Sequence, residues 1–129
     1  MPHTPHNPPR VAAATGGYSL GLEVRPGARY LWISGQVPQR PDGTVPVTFA
    51  GQCDAVWDNI RAVLDAAGMT MSDLVKVTTF LSDRRYADEN RAIRQRHLGG
   101  ATPALTVIVV DIFDAEWLLE IEAVAAVEV

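Results

Sequence analysis

The feature that most constrains this chain is a long amphipathic segment from Phe49 to Ala67. Its apolar side chains recur at intervals of three and four residues, which is the period of a helix with one buried face. They are Phe49, Cys53, Val56, Trp57, Ile60, Val63, Leu64 and Ala67. Thr48 is a suitable N-cap, and Gly68 lies where a glycine commonly ends a helix. Because the opposite side is polar, the segment predicts a helix that packs one face against a sheet.

Runs with the composition of strands lie on both sides of this helix. Tyr30–Ser34 is aromatic and β-branched, and Leu74–Leu81 carries apolar residues on both sides of its pleat. Ala104–Val110 and Trp117–Val129 are also predicted to be strands, and a short, irregular strand is expected at Thr44–Thr48. The helix therefore has a sheet to pack against.

A second helix is predicted from about Arg84 to His97, and Gly99-Gly100 ends it. The order of elements is then β-β-β-α-β-α-β-β. This order predicts an α+β domain, in which a mixed β-sheet carries two helices packed on one face.

The other face of this sheet would be bare. The central strand is predicted to direct Leu74 and Phe80 to one side, and Val75, Val77 and Leu81 to the other. A monomer would expose part of this apolar surface, so we expect the chain to associate with itself through the uncovered face.

Length and charge exclude several classes of protein. The 129 residues, 47% of them hydrophobic, fit one domain, predicted at residues 11–129 after a disordered, proline-rich tail at residues 1–10. The 11 Lys and Arg against 15 Asp and Glu give a net charge of −4, which argues against a nucleic-acid or anionic-membrane surface. Neither a signal peptide nor a membrane-spanning run is visible, so a cytoplasmic location is expected.

Few residues suggest chemistry on their own. Cys53 is the single cysteine, which excludes an internal disulfide, and without a cluster of Cys and His no metal site is expected. Cys53 is interpreted as a small core residue, and His97 as a packing or capping residue at a helix end. Five arginines of the second helix are interleaved with acidic residues and are predicted to form a solvated face. They are Arg84, Arg85, Arg91, Arg94 and Arg96.

Three short segments form a specific series along the chain: Ser34-Gly35-Gln36, the strand Asp73–Leu81 and the closing Glu120-Ile121-Glu122-Ala123. Taken in this order, they resemble the RidA (YjgF) family of enamine/imine deaminases. The resemblance extends from about Gly17 to Val127. It also includes Tyr18-Ser19, Asn59-Ile60, Asn90 and Pro103-Ala104.

This resemblance implies a fold, an assembly and an activity. The family fold is a chorismate-mutase-like α+β domain that forms a homotrimer, in which three sheets join into a central barrel and ligand clefts lie between subunits. Members hydrolyse 2-iminoalkanoates and their enamine tautomers to 2-ketoacids and ammonia, and they need no metal or organic cofactor. The implied partners are two further copies of the chain and a small-molecule ligand. No membrane partner is expected, and the net charge argues against nucleic acid.

The resemblance also assigns roles to residues. By position, Glu120 is the residue that positions or activates water, and Tyr18, Ser34 and Thr106 line the cleft. The family has a carboxylate-binding arginine directly after its Pro-Ala pair, whereas this chain has Leu105 at that place. Leucine offers neither a charge nor a hydrogen-bond donor, so we expect an altered substrate preference.

Two other functions stay open. The first is a trimer that binds a small metabolite in the same cleft without chemistry, and Leu105 favours this alternative. The second is a ribonuclease or RNA-binding protein, because some family members were described as ribonucleases. The acidic net charge argues against RNA binding.

Overall fold

The computed structural model describes residues 3–129, and residues 1–2 lie outside this range. Within it the chain forms β1 (Thr4–His6), β2 (Gly21–Glu23), β3 (Arg29–Gln36), α1 (Phe49–Ala66), β4 (Leu74–Leu81), α2 (Ala87–Leu98), β5 (Ala104–Val109) and β6 (Leu119–Val127). Single 3₁₀ turns at Met71–Asp73 and Arg84–Tyr86 precede β4 and α2.

Four of these strands form a mixed sheet in the order β3-β6-β4-β5. Strands β4 and β5 are parallel, and the other neighbours are antiparallel. Helix α1 packs against β3 and β6, and α2 packs against α1. The predicted α+β class, with a mixed sheet and two helices, is confirmed.

Helix α1 forms where the apolar period predicted it. The Thr48 side chain accepts a hydrogen bond from the backbone N–H of Gly51 at 3.1 Å, which caps the first turn. After the last turn Gly68 adopts a φ of +70°, a conformation that favours glycine. Trp57, Ile60 and Leu64 are fully buried against the sheet. Neither helix in the described part of the chain combines the length and apolar character needed to cross a bilayer.

Strand β6 divides the sheet into two faces. It pairs with β3 on one side and β4 on the other, and its alternate residues Leu119, Ile121, Ala123 and Ala125 are buried in the core beneath α1. The opposite face is called the open face below. Its residues on β3, β4 and β6 are Tyr30, Trp32, Ser34, Lys76, Thr78, Phe80, Glu120, Glu122 and Val124.

The strand β4 differs from the prediction at its start. A register shift between Leu74 and Lys76 aligns Leu74 with Ala125 of β6, on the same face as Val77. The prediction that Leu74 shares a face with Phe80 is therefore wrong, because a bulge breaks the two-residue alternation. The open face of β4 therefore carries Phe80 without Leu74.

The expected strand at Thr44–Thr48 is also wrong, since these residues form a loop before α1. Pro46 has no N–H to donate to a ladder, and its carbonyl accepts a hydrogen bond from the Gln52 side chain at 3.0 Å. The same side-chain amide also donates to the carbonyl of Glu116 at 3.0 Å. The loop is thus attached to α1 and to the segment before β6, and no strand is available to pair with it.

Part of the proline-rich tail predicted for residues 1–10 forms the strand β1. Strand β1 pairs antiparallel with β2, and Pro5 is tolerated in this two-stranded ribbon. His3 is buried and hydrogen-bonds to the carbonyl of Ala126 at 3.0 Å. The composition did not reveal this contact because the partner lies at the far end of the sequence. Residues 1–2 of the predicted tail lie outside the described range.

Asp54 joins the two α-helices. Its Oδ1 accepts hydrogen bonds from Arg96 Nη2 at 2.9 Å and from His97 Nε2 at 2.7 Å, both on α2. The His97 ring also stacks on Trp57 of α1, which agrees with its interpretation as a packing residue. Partial burial opposes ionisation of Asp54, but the hydrogen bonds from His97 and Arg96 outweigh it and lower the pKa of this carboxyl below its usual value.

We predict that Asp54→Asn lowers the free energy of unfolding at pH 7 by about 0.5–1 kcal/mol, a modest value because the carboxylate is partly solvated. Since the folded pKa lies below the unfolded one, the contribution is complete above about pH 4 and is lost as the pH falls through the folded pKa. Urea unfolding from pH 7 to pH 3 measures it. Asp58→Asn, at an exposed position on the same helix, is the matched control. An equal difference at both pH values would contradict the assignment.

Candidate functional site

The five predicted site residues lie in four separate places on one chain. Tyr18 and Leu105 line the same cavity beside α2. Glu120 lines a depression at the end of β6, and Ser34 lines another on the open face. Thr106 lies exposed on β5. The described chain therefore brings two of the five together and keeps the other three apart from them.

Glu120 is placed by the alternation of β6. Its neighbours Leu119 and Ile121 enter the core, so Glu120 faces the open side, where it is aligned with Phe80 of β4. It is half-buried and lines a depression of about 300 Å³. Among residues 3–129, none of the side-chain hydrogen bonds or ion pairs involves its carboxylate. An ionised carboxylate is a pure acceptor, so its oxygens are available to water or to a ligand.

The Glu120 side chain lies directly over the backbone of Gly35. The register of β3 against β6 shifts between Ile33 and Gln36, and Gly35 lies in this bulge. A Cβ at Gly35 would lie 2.8 Å from the Glu120 Cδ and 3.2 Å from its Cγ, and it would overlap the Oε2 atom. The Ser34-Gly35-Gln36 segment thus needs its glycine for space, since its backbone φ is not positive.

Ser34 and Thr106 lie on the open face near one lysine. Lys76 Nζ donates a hydrogen bond to Thr106 Oγ1 at 2.8 Å. Ser34 is exposed and shares a depression of about 230 Å³ with Lys76 and Glu122. Sequence reasoning treated Lys76 only as part of a strand, although its alternation with Val75 and Val77 already placed it on the polar side.

Tyr18 is held near the start of β5 by the hydrogen bonds of Ser19, the residue that follows it. The backbone N–H of Ser19 donates to the carbonyl of Pro103 at 3.1 Å, and its hydroxyl donates to the carbonyl of Thr102 at 2.6 Å. These bonds hold Tyr18 beside Leu105, in a cavity of about 330 Å³. The remaining lining residues are Thr15, Gly16, Ala87, Asn90, Arg91, Arg94 and Val107.

Arg94 was missed by the sequence reasoning, which placed it on a solvated face. It is buried, with 4% of its surface exposed, and its Nη2 donates to the carbonyl of Gly16 at 3.0 Å. Burial lowers the pKa of Arg94, and the charge of Arg91 acts in the same direction. The available signal was the spacing, because Arg94 follows Asn90 by four residues and therefore lies on the inner face of α2.

The comparisons with known proteins agree with this architecture. The model of the endoribonuclease L-PSP family matches residues 9–127. This chain belongs to that family, the RidA (YjgF) family. The 2-iminobutanoate/2-iminopropanoate deaminase of Escherichia coli is 33% identical over 118 residues, which cover 88% of this chain and 89% of the relative. A RutC family protein of Pyrococcus horikoshii is 31% identical over 112 residues, 85% of this chain and 86% of the relative.

A solved structure shows the same fold. A conserved Rid family protein of unknown function, YyfB from Yersinia pestis, superposes with a TM-score of 0.84 at 28% identity. The match covers 98% of this chain and 100% of that chain. The fold that the resemblance implied is therefore confirmed as that of the RidA family. The homotrimer stays a prediction.

Cys53 offers no nucleophile to this RidA family member. It is fully buried, and this burial raises the pKa of the thiol to about 12. Within residues 3–129 no three His, Cys, Asp or Glu side chains come together as a metal would require.

We predict that Gly35→Ala destabilises the RidA fold by about 1–3 kcal/mol, because the added methyl group displaces the Glu120 carboxylate. The same substitution in a Glu120→Ala background should cost about 1–2 kcal/mol less, since the clash is then gone. Urea unfolding of the four proteins of this cycle measures the coupling.

Gly100→Ala is the matched control for this cycle. A Cβ at Gly100 meets no atom within 4 Å, so its effect should stay within about 0.5 kcal/mol. A coupling near zero between positions 35 and 120 would show that the carboxylate does not rest on the glycine.

Proposed function

We propose that this RidA family member hydrolyses a small reactive enamine or imine to a carbonyl product and ammonia, in the cytoplasm. The observation that carries the proposal is the Glu120 carboxylate, which is half-buried, packed over Gly35 and free of partners among the described residues. The relative from Escherichia coli named 2-iminobutanoate/2-iminopropanoate deaminase supports this class of reaction.

The proposed chemistry needs a water molecule and a proton acceptor. An enamine first takes up a proton on carbon and loses one from nitrogen, which gives the imine. Water then attacks the imine carbon, Glu120 accepts the proton that the water loses as the C–O bond forms, and the nitrogen takes up a proton from solvent to give the carbinolamine. Glu120 returns its proton to the nitrogen as the C–N bond breaks and ammonia leaves, and the hydroxyl group loses its proton to solvent as the carbonyl group forms. A base positioned in this way accelerates a reaction by about 10²–10⁴-fold, and no step calls on a metal or an organic cofactor.

The proposed enzyme is a homotrimer with clefts between subunits. Tyr18 and Leu105 lie apart from Glu120 on one chain, so a cleft that used both groups would combine two copies. The open face supports this assembly because it exposes aromatic surface, including 75% of Trp32. Sedimentation equilibrium should then give three times the chain mass of 14.0 kDa, and a monomer would contradict the shared cleft.

The proposed substrate preference differs from the one that the resemblance implies, because Leu105 stands where a carboxylate-binding arginine is expected. Leu105 contributes only apolar contact to the cavity it shares with Tyr18. Thr106 follows it on the open face and is engaged by Lys76. The cleft therefore selects first for a short apolar side chain on the substrate, which packs on Leu105.

We predict that imines generated in situ are hydrolysed by the wild type, and that Glu120→Gln lowers kcat by about 10²-fold or more because the proton acceptor is lost. Glu116→Gln is the matched control, because Glu116 is exposed and its side chain has no partner among the described residues. Leu105→Arg should raise kcat/KM for 2-imino acids relative to neutral imines by about tenfold.

The outcomes separate the two leading functions. Turnover that survives in Glu120→Gln would remove Glu120 from the mechanism. If neither the wild type nor Leu105→Arg hydrolyses an imine, the proposed enzyme activity is contradicted. The alternative of a trimer that binds a small metabolite without chemistry is then favoured. The net charge of −4 gives no support to the RNA-binding alternative.

A further inference from the structure

The cavity beside α2 contains a buried cation that has no counter-charge in the described chain. Arg94 is 4% exposed, and no carboxylate of residues 3–129 lies within 4.0 Å of its guanidinium. Its Nη2 donates to a backbone carbonyl, that of Gly16, and its Nε is buried with no hydrogen-bond partner. Burial of an unpaired charge costs free energy that an anion would recover.

The other nine arginines of the described chain are all exposed. Arg96 pairs with Asp54 at 2.9 Å, and Arg25 and Arg91 lie 3.9 Å from Glu128 and Asp88, with the arginine side chains largely in solvent. Arg94 differs from all of them because it is buried, while its charge is not offset by an acid. A buried guanidinium of this kind is available to an anionic ligand.

The cavity has the charge and shape that suit a small anion. Its nine lining residues include Arg94 and Arg91 and no aspartate or glutamate. Leu105 and Val107 form an apolar wall, and Tyr18 and Asn90 supply polar groups. A volume of about 330 Å³ admits a small organic molecule and not a polymer.

We propose that this cavity binds a small monocarboxylate, with the Arg94 guanidinium as its counter-charge and its alkyl chain against Leu105 and Val107. The positive charge then comes from Arg94 of helix α2, because Leu105 of β5 carries no charge. Applied to the reaction, the assignment makes the substrate an anionic imine; this extension rests on the proposed function. The binding itself does not depend on any turnover.

Butanoate and its neutral isostere butanamide test the proposal on the intact protein, by calorimetric titration and thermal unfolding at constant ionic strength. We expect saturable butanoate binding that raises Tm, and no effect of butanamide. Arg94→Gln should weaken butanoate binding by about tenfold or more, and Arg94→Lys by less, since the charge remains without the planar fork. Arg84→Gln, an exposed arginine just before α2, carries the same charge change and should bind like the wild type.

A structural role for Arg94 predicts different results. In that case Arg94→Gln lowers Tm without ligand, and butanoate affects neither protein or both equally, which would overturn the proposal. Binding of butanamide as tight as that of butanoate would also overturn it. If Arg94→Gln does not fold, Arg91→Gln decides, because loss of the second positive charge should weaken butanoate binding about threefold. Unchanged affinity in Arg91→Gln would then count against the anion site and overturn the proposal.

Binding and turnover can fail independently. Butanoate binding that depends on Arg94, without hydrolysis of any imine, would contradict the proposed function and retain the anion site. Imine hydrolysis that is unchanged in Arg94→Gln and not inhibited by butanoate would support the proposed function and contradict the anion site.

Discussion

The structure depends on the pairing of β6 with two neighbours at once. Because β3 and β4 pair with β6 on both sides, the register of β6 is fixed. Its side chains then point alternately into the core and toward the open face. Ile121 enters the core beneath α1, and Glu120, the residue before it, faces the open side. A slip of one residue would bury the carboxylate and expose the core, so the stability of the fold and the position of the candidate base share one register.

The position of the Glu120 side chain also depends on β3. The bulge that contains Gly35 gives the Glu120 side chain a backbone surface to rest on. A strand without a side chain at this point permits a close approach that no other residue allows. Among residues 3–129 the carboxylate is thus positioned by packing and not by hydrogen bonds, which leaves its oxygens available as acceptors.

The sequence predicted those parts of the fold that depend on local periodicity. Helix α1, its Thr48 cap and strand β4 follow from the spacing of apolar residues and from capping chemistry. The bulge at Leu74, the ribbon formed by Thr4–His6 and the loop at Thr44–Thr48 depend on distant partners, which local patterns do not contain. Arg94 is the clearest case, because a charged residue between charged neighbours looks solvated until the opposing loop at Gly16 is known. The site was predicted as a set of residues, while its division among separate surfaces follows only from three-dimensional packing.

The contact of His3 with the end of β6 has a consequence for how the chain folds. Its hydrogen bond to Ala126 joins residues 123 positions apart, almost the whole length of the described chain. Closing a loop of this size costs conformational entropy before the contact returns any stabilisation. We therefore expect the buried histidine to dock after the four-stranded sheet has formed and to be among the first groups to open on unfolding, so that its burial would mark the last step of folding.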